Sequence, residues 1–380
     1  VSAARPKDSF NPQRLRLARE LRGITKEALA RACGVSRRAV TDWESGKVEE
    51  PRVDAISAAL AFPESFFFGD DLAEVTEDDA SFRAYSALSA RRSKSVLALA
   101  SITRGVFSWM DEHYETPSVD IPKIGDLLPV ECEGEPDPVQ SAYSLRSIWG
   151  LSARPIVDMM ALLESRGVRI LALPGSSVDI DAFSFWREGR PIVFLDLGKS
   201  AERLRFDLAH ELGHLVMHYG VRTRGERTYE AAANIFASTF LIPTDGILAQ
   251  IRARPTLDDV FTLKRHWKVS ATAMVRRLHQ LGSINDWQYR TWMVDLSSRG
   301  FRSSEPGGID REMSTLLQRV LALAREDGWR LRRLASELRV PLQDLEGVLA
   351  GLAVIPVDGS GEDAPRSLGH LTLVKGTKFS

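Results

Sequence analysis

Ala209-His210-Glu211-Leu212-Gly213-His214-Leu215 sets two imidazoles and a carboxylate inside a short apolar segment. Histidines four residues apart on a helix stand one turn apart on one face, where both side chains can reach a single ion. Leu204, Leu208, Leu212, Leu215 and Val216 recur at helical spacing, so a helix is expected across SAERLRFDLAHELGHLVMH. Neutral imidazoles suit zinc or another divalent transition metal, and Glu211, beside the pair, is placed to take a proton from water rather than to bind the ion. A hydrolytic site of this kind needs a third ligand and an open position. An ordinary pair of core histidines is the competing reading, and the third ligand decides between them.

Glu230 is the best-placed third ligand. It begins TYEAAANIFASTFLIP, an alanine-rich helix able to fold back and aim one carboxylate at the imidazoles. Two histidines from one helix and a glutamate from the next form a thermolysin-like set. His218, one further turn along, competes for the role or marks a partly exposed helix end. The metzincin spacing fails because Met217 stands where that pattern requires glycine. His113, His266, His279 and His370 have no partner pattern.

The elements that must position these groups are legible upstream. AYSLRSIWGLSARPIVDMMALLESRG reads as a helix pair, Val168–Leu173 as a strand, and FSFWREG with RPIVFLDLG as a hairpin turning at Gly-Arg-Pro. A helix is expected from Ser81 to His113. FDLAHELGHLVMH followed by EAAANIFASTFLIP resembles the ImmA/IrrE metallopeptidases, over roughly Leu145 to Tyr289. That resemblance implies a zincin-like domain with a small sheet, zinc on His210, His214 and Glu230, and Glu211 as general base. Asp207 departs from the threonine common in the family; capping the helix and contacting a ligand histidine are both open to it.

A second signal lies near the N-terminus. Residues 14–48 carry nine Lys or Arg against four Asp or Glu, a basic island in a chain with 50 basic and 51 acidic side chains. Gly23 stops one helix, Thr25 caps a second ending at Gly34, and Ser36 caps a third ending at Gly46. Two short helices around Cys33-Gly34-Val35 read as a helix-turn-helix. LARELRGITKEALARACGVSRRAVTDWESG is similar to the Cro/repressor-type (XRE) family over about 35 residues. The resemblance implies that Ser36 to Glu44 enter the major groove, with Arg37, Arg38 and Thr41 as the candidates for base edges and Ser36 as a further DNA-binding residue. Lys26 and Lys47 are phosphate partners, while Trp43 is expected to pack internally, as are Phe66, Phe67 and Phe68.

With 380 residues the chain is long enough for several domains. The expected division is a helix-turn-helix domain at 10–70, a helical spacer at 71–138, a metallopeptidase-like domain at 139–295, and a helical region with a flexible tail at 296–380. The fold class is α+β and mostly helical. RLRRLASELRVPLQDLEGVLAGL repeats helix-turn-helix spacing, but its turn favours packing or dimerisation over DNA reading. Hydrophobic content of 44% with 27% charged residues is that of a soluble protein. VSAARPKDSF lacks the apolar core of a secretory signal, and the two cysteines, Cys33 and Cys132, suggest no disulfide framework. A cytoplasmic protein without a membrane segment is expected. The combined reading is a regulator that binds operator DNA as a homodimer and cleaves a repressor or other protein substrate in a stress, mobile-element or toxin–antitoxin setting. The alternatives are a non-catalytic regulator or antitoxin whose zinc domain senses or binds a partner, and autoproteolysis in the acidic linker after Gly69.

Overall fold

A computed structural model describes residues 9–48, 51–75, 80–82, 90–123, 136–173, 181–218, 227–301 and 305–353. Cys132, His370, the C-terminal tail and parts of both expected linkers lie outside the described residues. The N-terminal bundle is all helical: α1 (Pro12–Leu21), α2 (Lys26–Cys33), α3 (Arg37–Glu44), α4 (Val53–Leu60) and a 3-10 turn (Glu64–Phe68). Its helix starts are set by side chains. Asn11 accepts from the Gln13 N–H, Thr25 from Ala28 and Ser36 from Ala39, each satisfying a donor that no helical carbonyl reaches. Gly34 ends α2 at φ 66°, a left-handed conformation that disfavours side chains with a Cβ. Leu15, Leu29, Val40, Trp43, Ile56, Phe66 and Phe67 are buried between these helices.

Beyond it run α5 (Ala90–His113), α6 (Pro138–Ile148) and α7 (Met159–Ser165), then a four-stranded sheet in the order β1-β3-β4-β2. Its strands are β1 (Ala80–Phe82), β2 (Arg169–Ala172), β3 (Ala182–Arg187) and β4 (Arg190–Leu195). β3 is antiparallel to β1 and β4, whereas β2 lies parallel to β4. Two sequence expectations change here. Ala80–Phe82 forms a strand where a helix was expected from Ser81; pairing with the open edge of β3 outweighs a weak local helical pattern. The hairpin turns at Glu188-Gly189, both with positive φ (49° and 76°), so Arg190 and Pro191 belong to the strand.

The metal-site helix α8 (Ala201–Met217) packs on β3 and β4, and α9 (Arg227–Leu241) packs along α8 and α6. The chain continues through α10 (Thr244–Leu248), α11 (Leu257–Trp267), α12 (Ala271–Gln280), α13 (Asp286–Ser298), α14 (Thr315–Glu326), α15 (Leu331–Glu337) and α16 (Leu342–Leu349). The C-terminal segment is tied to the metal-site region by carboxylates. Glu312 pairs with the buried Arg205 of α8 and accepts the Met159 and Met160 N–H groups at the start of α7. Glu202 of α8 accepts the Ile309 N–H at 3.1 Å.

The turn between α15 and α16 copies the one between α2 and α3. Arg339 has φ 56° where Gly34 has 66°, and Val340 N–H donates to Ala335 O at 2.9 Å, as Val35 does to Ala30. Its second helix faces protein: Asp344 accepts two bonds from the Arg22 guanidinium, at 2.8 and 2.9 Å. The spacing is therefore a true structural repeat used for packing.

Glu164 of α7 is completely buried and accepts from the Ser314 and Thr315 hydroxyls and the Leu316 N–H at the start of α14. Burial pushes its carboxyl up to about 7 from an ordinary 4.5, against those hydrogen bonds, which pull the other way. A raised folded value means a contribution to stability that is complete below the unfolded value and lost as pH rises through the folded one. Relative to Glu164→Gln, the native chain is therefore expected to lose about 3 kcal/mol between pH 4.5 and pH 8. Denaturant unfolding of both chains across that range measures it, and parallel profiles would contradict it.

Candidate metal centre and DNA-reading face

Ser200 caps α8 by accepting the Arg203 N–H, and the helix then runs unbroken through the whole histidine segment. His210 and His214 are 1% and 5% exposed, so their nitrogens are withdrawn from bulk water. Glu230 reaches them because α9 comes close at Gly213: a Cβ there would stand 3.0 Å from Phe236 and 3.4 Å from the Ala233 backbone. Small residues at 213 and 233 are thus what allows one carboxylate to meet both imidazoles.

His210 Nε2 and His214 Nε2 lie 3.0 Å apart, and Glu230 Oε2 and Oε1 lie 3.4 and 3.3 Å from them respectively. In a tetrahedral zinc site with ligand bonds near 2.05 Å, neighbouring donor atoms stand roughly 3.3 Å apart. The donor set fits a divalent ion in both chemistry and spacing. Burial works against ionisation of Glu230, but hydrogen bonding from the two histidines overrides it and holds the carboxyl well below the usual range.

The second nitrogen of His214, Nδ1, is 2.9 Å from His218 Nδ1. For His214 to offer a lone pair at Nε2 its proton must sit on Nδ1, so His218 then accepts it. His218 is thereby placed to orient the His214 ring, and its own ring meets Tyr229 edge to face at 4.7 Å between centroids. Burial, then the neighbouring His214, pushes His218 down to about 3, leaving it neutral and able to accept.

Glu211 is fully buried, and its Oε2 accepts the Ser184 hydroxyl of β3 at 2.7 Å. Burial pushes its carboxyl up to about 7. Ser184 was not expected from sequence; a serine between Phe183 and Phe185 in a buried strand is the only signal that could have found it. Asp207 pairs with Arg203 at 3.1 Å, and Ser200 performs the capping. The other histidines are engaged elsewhere: His113 with Trp109 O, His266 with Gln250 and His279 with Asp286.

On the helix-turn-helix, Arg37 and Arg38 project from the start of α3 and are exposed. Thr41, on the same helix, is also exposed and donates its hydroxyl to Arg37 O at 3.1 Å. Ser36 uses its oxygen as the helix cap. Lys47 is exposed and 3.9 Å from Asp42, whereas Lys26 pairs at 2.9 Å with Glu44, whose side chain is 4% exposed. Among the described residues Arg37, Arg38 and Lys47 thus carry exposed charge with at most a long ion pair to Asp42, Ser36 and Thr41 are exposed uncharged neighbours, and Lys26 is held by Glu44.

A helix-turn-helix bundle joined to a fold carrying a buried His-His-Glu centre defines the class: a DNA-binding module with a metallopeptidase-like domain of the gluzincin kind. Family comparison agrees. Residues 163–279 match the IrrE N-terminal-like domain and residues 15–64 match a helix-turn-helix domain, so the chain carries an XRE-like reader fused to an IrrE/ImmA-family peptidase-like domain. No curated protein matches the chain. Among the described residues no helix is long and apolar enough to cross a membrane.

Proposed function

We propose that this chain is a DNA-binding regulator whose metal centre hydrolyses a peptide bond in a repressor or other protein substrate. The observation that carries the proposal is the triangle of ligand atoms on His210, His214 and Glu230, with the carboxylate of Glu211 beside it and anchored by Ser184. When bound, zinc supplies Lewis acidity toward a carbonyl and makes water more acidic. His210, His214 and Glu230 would hold the ion, and His218 would fix the ring of His214. Glu211 has one oxygen committed to Ser184, leaving Oε1 to take a proton from attacking water and return it to the leaving amine. Buried surroundings keep bulk water from the charged groups.

In the same reading, the Arg37 and Arg38 side chains contact base edges, with Thr41 beside them. Lys47 and the exposed parts of Ser36 position the module on phosphates. Lys26 serves the same role only by exchanging Glu44 for phosphate. A homodimer on paired half-sites is the arrangement such modules use. The domain limits proposed from sequence, 10–70, 71–138, 139–295 and 296–380, go with this division of labour.

Metal analysis of the purified protein tests the centre. About one equivalent of zinc or a similar ion is expected per chain, falling at least tenfold in His214→Ala and in Glu230→Gln. Native metal content in Glu230→Gln would sink the assignment. Incubation of the metal-loaded chain with repressors encoded beside it, followed by mass spectrometry, tests hydrolysis. Bound metal with no cleavage of any partner would favour the non-catalytic regulator.

A further inference from the structure

A cavity that shares no lining residue with the metal centre lies among helices to which that centre assigns no task. Trp109 of α5, Leu321 of α14, Leu342 of α16 and the intervening Trp329 bound a space of about 570 Å³. That volume falls within the roughly 300–1,000 Å³ of small-ligand sites. The two tryptophans meet edge to face with centroids 5.1 Å apart, and Trp109 is buried. These rings and the leucines make the interior apolar.

The rest of the lining is basic. Arg325, Arg330 and Arg332 contribute to it against a single acid, Glu346. Arg330 is partly committed, since its Nη1 donates to the carbonyls of Arg325 and Trp329. Among the described residues, neither Arg325 nor Arg332 has a carboxylate within ion-pair distance. An inorganic anion would make no use of the aromatic wall, and a neutral hydrocarbon would make no use of the basic side chains at the rim. Both requirements are met by one kind of molecule.

We propose that this cavity binds a small carboxylic acid with a compact aromatic or medium-chain aliphatic body. Its carboxylate pairs with Arg325 and Arg332, for which the planar guanidinium is well suited. Its body lies against Trp109, Trp329 and Leu342. The position matters for regulation, because the two helices on either side are those that hold the DNA module. Ser95 of α5 donates to Leu21 O at 2.7 Å, and Asp344 of α16 binds Arg22. An occupant touches both supports at once.

Titration of the full-length protein with phenylacetate and with octanoate, followed by calorimetry and tryptophan fluorescence, tests this. Saturable binding is expected for at least one acid, and at least tenfold weaker binding for the matching neutral amide, a difference of about 1.4 kcal/mol. The Arg325→Gln/Arg332→Gln double variant replaces one half-buried and one exposed side chain, neither of them in an ion pair among the described residues, and should weaken the acid by tenfold or more while keeping the native melting temperature. Ala324→Phe, which fills the cavity, should abolish binding. Absence of saturable binding by both acids at millimolar concentration would overturn the proposal. So would equal affinity for acid and amide, or native affinity in the double variant.

Discussion

Glu211→Gln is expected to keep its metal and to lose peptide hydrolysis by about 10²- to 10⁴-fold, the range that a positioned general base contributes. Glu211 lies outside the ligand triangle of His210, His214 and Glu230, so an amide in its place removes no donor from the ion. The amide oxygen can still accept the Ser184 hydroxyl, which preserves the side chain's anchor. What disappears is the ability to accept a proton. Stability should not fall, because the native carboxyl is fully buried and burial already pushes it up to about 7; a neutral replacement avoids that desolvation at alkaline pH. Metal analysis, thermal melting and cleavage of the partner protein, measured on one preparation, separate chemistry from folding. Activity within tenfold of native would remove Glu211 from the mechanism.

The metal ligands were legible because their signal is periodic and local. Four-residue spacing on a helix places His210 and His214 together whatever the rest of the chain does, and the alanines after Glu230 announce a helix that can approach closely. Ser184 and His218 were not legible in their roles. Ser184 acts through a contact across 27 residues of sequence, created when β3 packs on α8. By sequence His218 is a partly exposed helix end or a rival ligand, and only the direction of the second nitrogen of His214 gives it another role. The helix-turn-helix was readable from caps and glycines, yet the commitment of Lys26 to Glu44 depends on how α2 and α3 cross. The C-terminal region was least readable. Its long-range contacts, such as Glu312 with Arg205 and Asp344 with Arg22, join residues 107 and 322 positions apart, and no sequence period encodes such pairs.

Arg146 illustrates the same gap, and its replacement should have the largest effect on stability. Nothing in PVQSAYSLRSI marks this arginine as different from those on exposed helix faces, but it is only 2% exposed. Its guanidinium donates to the carbonyls of Ser152 and Arg154, which close the loop after α6, and to Phe240 O near the end of α9. It also lies 5.7 Å from the centre of the Phe240 ring. One side chain therefore fixes the loop leading to α7 and the helix that carries Glu230. Arg146→Ala leaves the buried Phe240 carbonyl and the part-buried carbonyls of Ser152 and Arg154 without their donor, as well as a cavity, for which a loss of about 3–5 kcal/mol is expected. That corresponds to a fall in melting temperature of roughly 6–20 °C for a unit of 150–250 residues. Lysine should rescue little, because a single ammonium cannot reproduce a planar fork that reaches carbonyls on two elements. Because Arg146 touches none of the metal ligands, folded Arg146→Ala kept well below its melting point should still take up metal, with affinity reduced only as far as α9 loosens. A loss below 1 kcal/mol would show that water replaces the guanidinium at these carbonyls, and that α9 is positioned by its packing on α8 alone.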